Sequence, residues 1–325
     1  MWFGEKEQAL STSVGIIIGN AGAAVGFLQP ALMITNIDPT QHIPFIDCKL
    51  KELIYSQTGL CLFMLISVLV LFKKEPRRPP SYSQAVRTTD EQLSLRTFKQ
   101  TYKVLLKDVH YLTCSHGFAF NNLVLITVPI FLNSIVSWKY PHHDAIIGWM
   151  GFASIIAGIL GSVLFSLILD KTQQHKKLVV FLGVSTLFLW IGFTEVLANY
   201  TNLPLMFALL VLCLFTFIPF GPVCVDMMVE MTYPISESMS FVLPITAGRL
   251  YSVPVVFVLG YLVDTQRVHA LCVVVALLML LMLVFVVCSP VKKKRTEAGR
   301  STLVHTNCSN NIGRSDESLL HADRI

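Results

Sequence analysis

A chain of 325 residues that is 54% hydrophobic and only 14% charged is not a soluble domain, because soluble domains carry roughly a quarter charged residues. Its mean hydropathy of +0.63 calls for lipid as solvent, and a formal charge of +5 is modest and not spread evenly enough to suggest nucleic acid binding. Eight cysteines with no CxxC and no Cys/His metal spacing exclude a zinc site or a disulfide framework.

Met1-Trp2-Phe3-Gly4-Glu5-Lys6-Glu7 lacks a basic region running into an apolar core and a cleavage site, so no cleavable leader is expected. Apolar runs close to the ~20 residues that cross a bilayer follow at Leu10–Ile34, Leu53–Phe72, Tyr111–Val136, Ile146–Leu169, Leu178–Ala198, Leu203–Val229, Ser238–Val263 and Val268–Ser289. The sixth and seventh are parted only by Thr232-Tyr233-Pro234, where proline supplies the break. Cys61, Cys114, Cys213, Cys224, Cys272 and Cys288 lie in or beside these runs and read as small packing residues. The expected fold class is an all-α polytopic membrane protein.

Two segments do not span. Residues 73–108 form a polar, basic linker with Pro76, Pro79 and Pro80 and an amphipathic stretch, Leu93–Leu106. It reads as a connector lying on the headgroups, with a partner-binding module as the alternative. Residues 291–325 mix Ser, Asn, Thr and charge with few large apolar residues, the composition of a disordered tail.

Basic loop residues set orientation. The linker holds Lys73, Lys74, Arg77, Arg78, Arg87, Arg96, Lys99, Lys103 and Lys107. Lys171, Lys176 and Lys177 follow the fourth span, and the tail opens with Lys292-Lys293-Lys294-Arg295. The alternate loops, Asn199–Asn202 and Asp264–Arg267, are nearly free of them. Basic loops and both termini are therefore expected in the cytoplasm. Asn199-Tyr200-Thr201 is a glycosylation pattern on the outer side, whereas Asn307-Cys308-Ser309 falls in the cytoplasmic tail.

Arg249 is the one full charge within Ser238–Val263, with Pro244, Gly248, Pro254 and Gly260 around it. A midplane arginine costs at least ~2.5–3.5 kcal/mol and is kept out of lipid by facing helices or water. Two readings stand: an interhelical salt bridge to Glu230 or Glu195, or a substrate contact. Asn20 and Gln29 share a helix with Gly15, Gly19, Gly22 and Gly26, small residues whose spacing suits close helix packing. Asn121 and Asn122 interrupt an apolar run near Pro129, and a helix broken there would expose backbone to a cavity. His116 reads as a hydrogen-bonded packing histidine, with heme ligation or proton relay as the alternative. Glu195, near the outer end of its helix, reads as an interfacial carboxylate, with a proton-coupling group as the alternative. Asp226 and Glu230 are one turn apart and face one side, placed to gate the inner mouth by pairing with Lys171 or Arg249. The sequence contains no HExxH, no Ser/His/Asp grouping and no paired loop aspartates, so neither an enzyme site nor a cofactor is expected.

Several motifs carry a resemblance. Trp2-Phe3-Gly4, Ser11-Thr12, Gly19-Asn20 and Gly26-Phe27-Leu28 with Pro30 look like the fifth helix of the feline leukaemia virus subgroup C receptor-related transporters, members of the major facilitator superfamily. Asn133, Trp138, Tyr140 and Pro141 match the end of that family's seventh helix. Ala157-Gly158, Gly161 and Leu169-Asp170 match its eighth. Glu230, Thr232-Tyr233-Pro234 and Ser236-Glu237 resemble its signature between helices ten and eleven. The resemblance covers about residues 2–290.

The resemblance implies a partial major facilitator fold of about eight helices. Residues 1–72 would be the last two helices of the N-terminal half, and 109–290 the complete C-terminal half. Met1 would fall just after the fourth helix of the pattern. A truncated gene model or short isoform is thus expected, one that does not transport alone but needs the missing half or a partner membrane protein, with a compact eight-helix protein that works by itself as the alternative. Asp170-Lys171, Tyr233, Pro234 and Glu237 take conformational roles by the same resemblance. Family members move choline or ethanolamine, and heme export is also assigned to the family. Choline is held there by a first-helix tryptophan and a seventh-helix tyrosine, with glutamines from helices five and eleven. The tyrosine position here is Ile126, the glutamine positions are Ala21 and Arg249, and Asn121 matches a seventh-helix asparagine. A fixed guanidinium repels choline and suits carboxylate or phosphate. The expectation is alternating-access transport of an anionic or heme-like solute, bound by Arg249, Asn121, Asn122, Asn20 and Gln29. The plasma membrane is the expected location, and a mitochondrial or other organelle membrane the alternative. The rival reading is a non-transporting receptor or assembly subunit.

Overall fold

The computed structural model describes residues 5–33, 43–71, 95–141, 143–172, 174–232, 235 and 237–289. Among these, all regular structure is helical. The helices are α1 (Glu5–Met33), α2 (Ile43–Leu71), α3 (Leu95–Leu105), α4 (Val109–Ser137), α5 (Asp144–Thr172), α6 (His175–Asn199), α7 (Leu203–Thr232), α8 (Glu237–Asp264) and α9 (Val268–Cys288). By length and composition, α2 and α4 to α9 each suit a membrane crossing, 7 helices among the described residues. The remaining expected span, Leu10–Ile34, lies on α1, whose side chains are described from Ile18 on. The short α3 falls within the amphipathic stretch of the linker; the rest of 73–94, and the tail from Pro290, lie outside the described residues.

The helix ends follow local chemistry. Asp108 caps α4 by accepting from the His110 and Tyr111 N–H groups at 3.0 and 3.3 Å, satisfying donors that the first turn leaves unpaired. Lys139 Nζ donates to the Leu197 and Ala198 carbonyls at 2.7 and 3.3 Å, where the last turn of α6 has spare acceptors and a negative dipole end.

Helices α4 to α9 form one bundle, with α4 against α8 and α9, α7 against α5 and α6, and α6 against α9. Trp190 and Phe193 of α6 are fully buried in it, and the Trp190 indole donates to the Cys272 carbonyl of α9 at 3.1 Å. Cys114, Cys213, Cys224 and Cys272 are buried free thiols, as their apolar surroundings suggest, but Cys61 and Cys288 are exposed.

Prolines inside these helices bend the accounting of backbone hydrogen bonds without ending the helices. Pro244 removes the N–H that would serve the Ser240 carbonyl. The Tyr111 hydroxyl of α4 donates to that carbonyl instead, at 2.7 Å. The Ser240 hydroxyl pairs with Thr232 Oγ1 at 2.8 Å, so α4, α7 and α8 are tied at one level. Pro219 likewise frees the Phe215 carbonyl of α7, and Gly161 of α5 lies directly against it. Expectation fails at Pro129: α4 runs unbroken from Val109 to Ser137. One missing donor does not outweigh the helical bonds on either side when lipid offers none in exchange.

The outward face of α6 reads Lys177, Phe181, Val184, Phe188, Ile191 and Glu195, all exposed. From Lys177 to Glu195 the rise is ~27 Å at 1.5 Å per residue, close to the ~30 Å hydrocarbon core. Two charges thus bracket an apolar stripe close to membrane length.

Outside the bundle, α1 packs on α5, with Phe27 and Ala31 lying against Gly148 and Gly151. The glycine stripe of α1 does not pack as its spacing suggests: Gly19, Gly22 and Gly26 meet nothing within 4 Å. Spacing alone cannot specify a partner, and α1 presents other residues to α5. Helix α2 touches α1 lightly, and its membrane-length window is 0% buried.

Candidate functional site

Two of the polar candidates, Asn122 and Arg249, lie at one level along the seam between α4 and α8. Gly248 allows the close approach there. A Cβ on it would stand 2.8 Å from the Ala119 carbonyl and 3.0 Å from Asn122 Cβ, nearer than atoms pack. This puts Arg249, the next residue, at the level of Asn122. Arg249 is exposed and Asn122 half-buried. The Asn122 amide reaches the Phe118 carbonyl only at 3.4 Å, and Ile126 is half-buried one turn further along α4. Among the described residues Arg249 forms no ion pair, and Ser252 Oγ donates to its carbonyl at 2.7 Å.

The salt bridges expected for Arg249 fail on axial distance. Helices α7 and α8 are joined where Glu230 stands, two residues from the end of α7, whereas Arg249 is twelve residues into α8. At 1.5 Å per residue the offset is ~15 Å, longer than an arginine side chain. Glu195 is offset similarly toward the other end; it accepts from Asn199 Nδ2 at 2.9 Å. The expected gate pairing is also absent, since neither Lys171 nor Arg249 is ion-paired among the described residues. Asp170, Lys171 and Asp226 are exposed and Glu230 half-buried. Tyr233 and Pro234 lie outside the described residues, and of Glu237 only the backbone, opening α8, is described.

Asn121 turns the other way from Asn122. It is 3% exposed and faces α7, its Oδ1 3.2 Å from where a Gly221 Cβ would be. Its Nδ2 has no hydrogen-bond partner among the described residues. Ser154 Oγ of α5 is in the same condition. Gly158 lies against the Leu214 carbonyl and Gly161 against that of Phe215, and Ile146 lies beside Leu203, Pro204 and Phe207; α5 and α7 therefore run parallel, with Ser154 near the level of Leu210 and away from Asn121. Asn121 faces the segment Pro219-Phe220-Gly221-Pro222, whose prolines leave the Phe215 and Ile218 carbonyls without helical donors. Sequence reasoning missed Ser154, because a serine inside an apolar run usually bonds its own helix.

The two candidates on α1 are not brought to this seam, because α1 packs on α5. Asn20 is half-buried, and Gln29 Nε2 donates to Ser56 Oγ of α2 at 2.8 Å. His116 behaves as a packing histidine: Nδ1 is 2.7 Å from the Leu112 carbonyl, and the ring stacks 5.6 Å from Phe285. No group of three His, Cys, Asp or Glu side chains suited to a metal occurs among the described residues.

A bundle of membrane-length helices is the architecture of an integral, multi-pass membrane protein. The sequence profile of the Major Facilitator Superfamily matches residues 1–229, and the chain belongs to that superfamily as an integral, multi-pass membrane protein. Within it, the chain is 27% identical over 271 residues to the choline/ethanolamine transporter FLVCR2 of Homo sapiens, covering 81% of this chain and 49% of that protein. It is 24% identical over 255 residues to the choline/ethanolamine transporter FLVCR1 of Felis catus, covering 78% of this chain and 44% of that protein. An uncharacterised MFS-type transporter of Caenorhabditis elegans, C09D4.1, is 24% identical over 80% of this chain and 43% of its own length. The resemblance read from the motifs is borne out. The chain spans about half the length of the curated relatives it matches.

Proposed function

We propose that this protein carries a small organic solute across a membrane by alternating access, with Arg249 as the anchor for an anionic group. The single observation behind the anchor is a mid-helix guanidinium that is exposed and forms no ion pair among the described residues. Asn122, level with it, is the neutral partner for the same solute. The relatives are named for choline and ethanolamine. Against that cargo here stand the cation at Arg249 and the aliphatic Ile126 at the position where the family has its tyrosine, since quaternary ammonium groups are held by aromatic faces. A carboxylate, a phosphate or the propionates of heme suit a guanidinium fork. Movement is a rocking of the α4–α9 bundle against the α1–α2 side, without covalent chemistry. The basic ends face the cytoplasm, Asn199 is offered to glycosylation outside, and the plasma membrane is the site of action.

Uptake by cells or vesicles containing the chain tests this. Labelled organic anions, heme, choline and ethanolamine are compared for the wild type and Arg249→Gln. Loss of one charge-assisted hydrogen bond predicts a roughly ten- to hundredfold fall for the anionic cargo. Uptake of choline alone, undiminished by Arg249→Gln, overturns the anionic reading.

A second reading has its own observation. The membrane-length window of α2 is 0% buried, which suits an assembly subunit whose helices complete a partner. Absence of uptake of every solute, together with a stable complex recovered by cross-linking through α2, favours it.

A further inference from the structure

We propose that the crevice between α5 and α6 is a binding site for an anionic phospholipid of the cytoplasmic leaflet. Both helices pack on α7. The Phe165 ring of α5 lies 5.8 Å from that of Phe215 of α7 and 6.4 Å from that of Phe181 of α6, so these rings line an apolar wedge where the three helices meet. A shallow concavity on the α6 side of it is lined by Lys176, Lys177, Val180, Phe181 and Val184, all of α6.

The order of those residues matches the order of a lipid. Lys176 and Lys177 stand in the first turn of α6, and Val184 lies ~10 Å deeper at helical rise. Phosphate at the lysines therefore leaves an acyl chain against Val180, Phe181 and Val184. Lys171 ends α5 on the far side of the turn and is exposed. None of the three lysines is in an ion pair among the described residues, so their charge is available to a ligand. A choline or ethanolamine headgroup would bring its own cation against them. An acidic protein segment would meet the lysines but find no use for the apolar wedge beneath. Charge complementarity above and apolar complementarity below select one occupant, an anionic diacyl lipid.

The experiment uses the full chain in nanodiscs of phosphatidylcholine containing a minor fraction of phosphatidylglycerol or phosphatidylserine. The lipids retained after transfer to mild detergent are then weighed by native mass spectrometry. The wild type should retain the anionic lipid over phosphatidylcholine. Each lysine near an anionic headgroup is worth about fivefold. The expectation is thus roughly a fivefold drop for Lys177→Gln and about 25-fold for Lys176→Gln with Lys177→Gln. Lys177 is exposed, so its variant folds as the parent does. Arg267→Gln, which removes an exposed cation at the opposite end of the bundle, should change nothing. Equal retention in the Lys176/Lys177 variant, or equal loss in the control, overturns the proposal. So does displacement by inorganic phosphate alone, which would make the ligand a free anion, or by an acidic peptide, which would make it a protein.

Discussion

Asn121 holds a donor that finds no acceptor while being 3% exposed. An unmet buried group of this kind costs about 1–3 kcal/mol. Asn121→Leu, similar in size and without the amide, should therefore raise the unfolding midpoint in detergent, whereas most core substitutions lower it. Tyr111 presents the opposite case, because its hydroxyl serves the Ser240 carbonyl that Pro244 leaves open. Tyr111→Phe should cost about 1–3 kcal/mol. Pro244→Ala returns the helical donor, so the loss should shrink in that background, and a double-mutant cycle on thermal unfolding reads the coupling. The sequence made Asn121 and Arg249 conspicuous as polar residues in apolar runs. It could not tell that Asn121 and its neighbour Asn122 face different helices, because that depends on which helix supplies a glycine opposite. Nor could it pair Tyr111 with Ser240, 129 residues away.

Helices raise a different question, which is where two of them touch. Gly161 of α5 lies against the Phe215 carbonyl of α7, while Gly22 of α1 meets nothing within 4 Å. Gly161→Ala should force α5 off α7 and cost about 1–3 kcal/mol. Gly22→Ala should be neutral or stabilise by up to about 1 kcal/mol, the ordinary gain of alanine over glycine in a helix. Thermal unfolding of both variants in one detergent checks the contrast. Before the structure, the stripe at Gly15, Gly19, Gly22 and Gly26 looked the better candidate for close packing because its spacing is regular. Spacing reports that a backbone is accessible, but contact also needs a neighbour oriented toward it. The span positions, by contrast, were plain in the sequence, since long apolar runs between charged turns have no other use in a chain this hydrophobic. The continuity of α4 through Pro129 was not plain, because propensity learned in water overstates what a proline breaks in lipid.

At the scale of the whole molecule, the bracketing of α6 by Lys177 and Glu195 carries a consequence about the surrounding lipid. A face whose apolar length is ~27 Å matches a thin bilayer and is short for a sterol-rich one of ~32–33 Å. Since α6 leans on α7 and α9, it is not free to change its exposed length by tilting alone. The sheet of lipid must dimple around this helix instead, at a strain of fractions of a kcal/mol per ångström. Reconstitution into vesicles of graded acyl-chain length should therefore give a maximum in thermal stability near a hydrocarbon thickness of ~27 Å, declining as the chains lengthen. The protein would then gather in thin regions of whatever membrane contains it, drawn there by elastic cost and independently of any address written in its sequence.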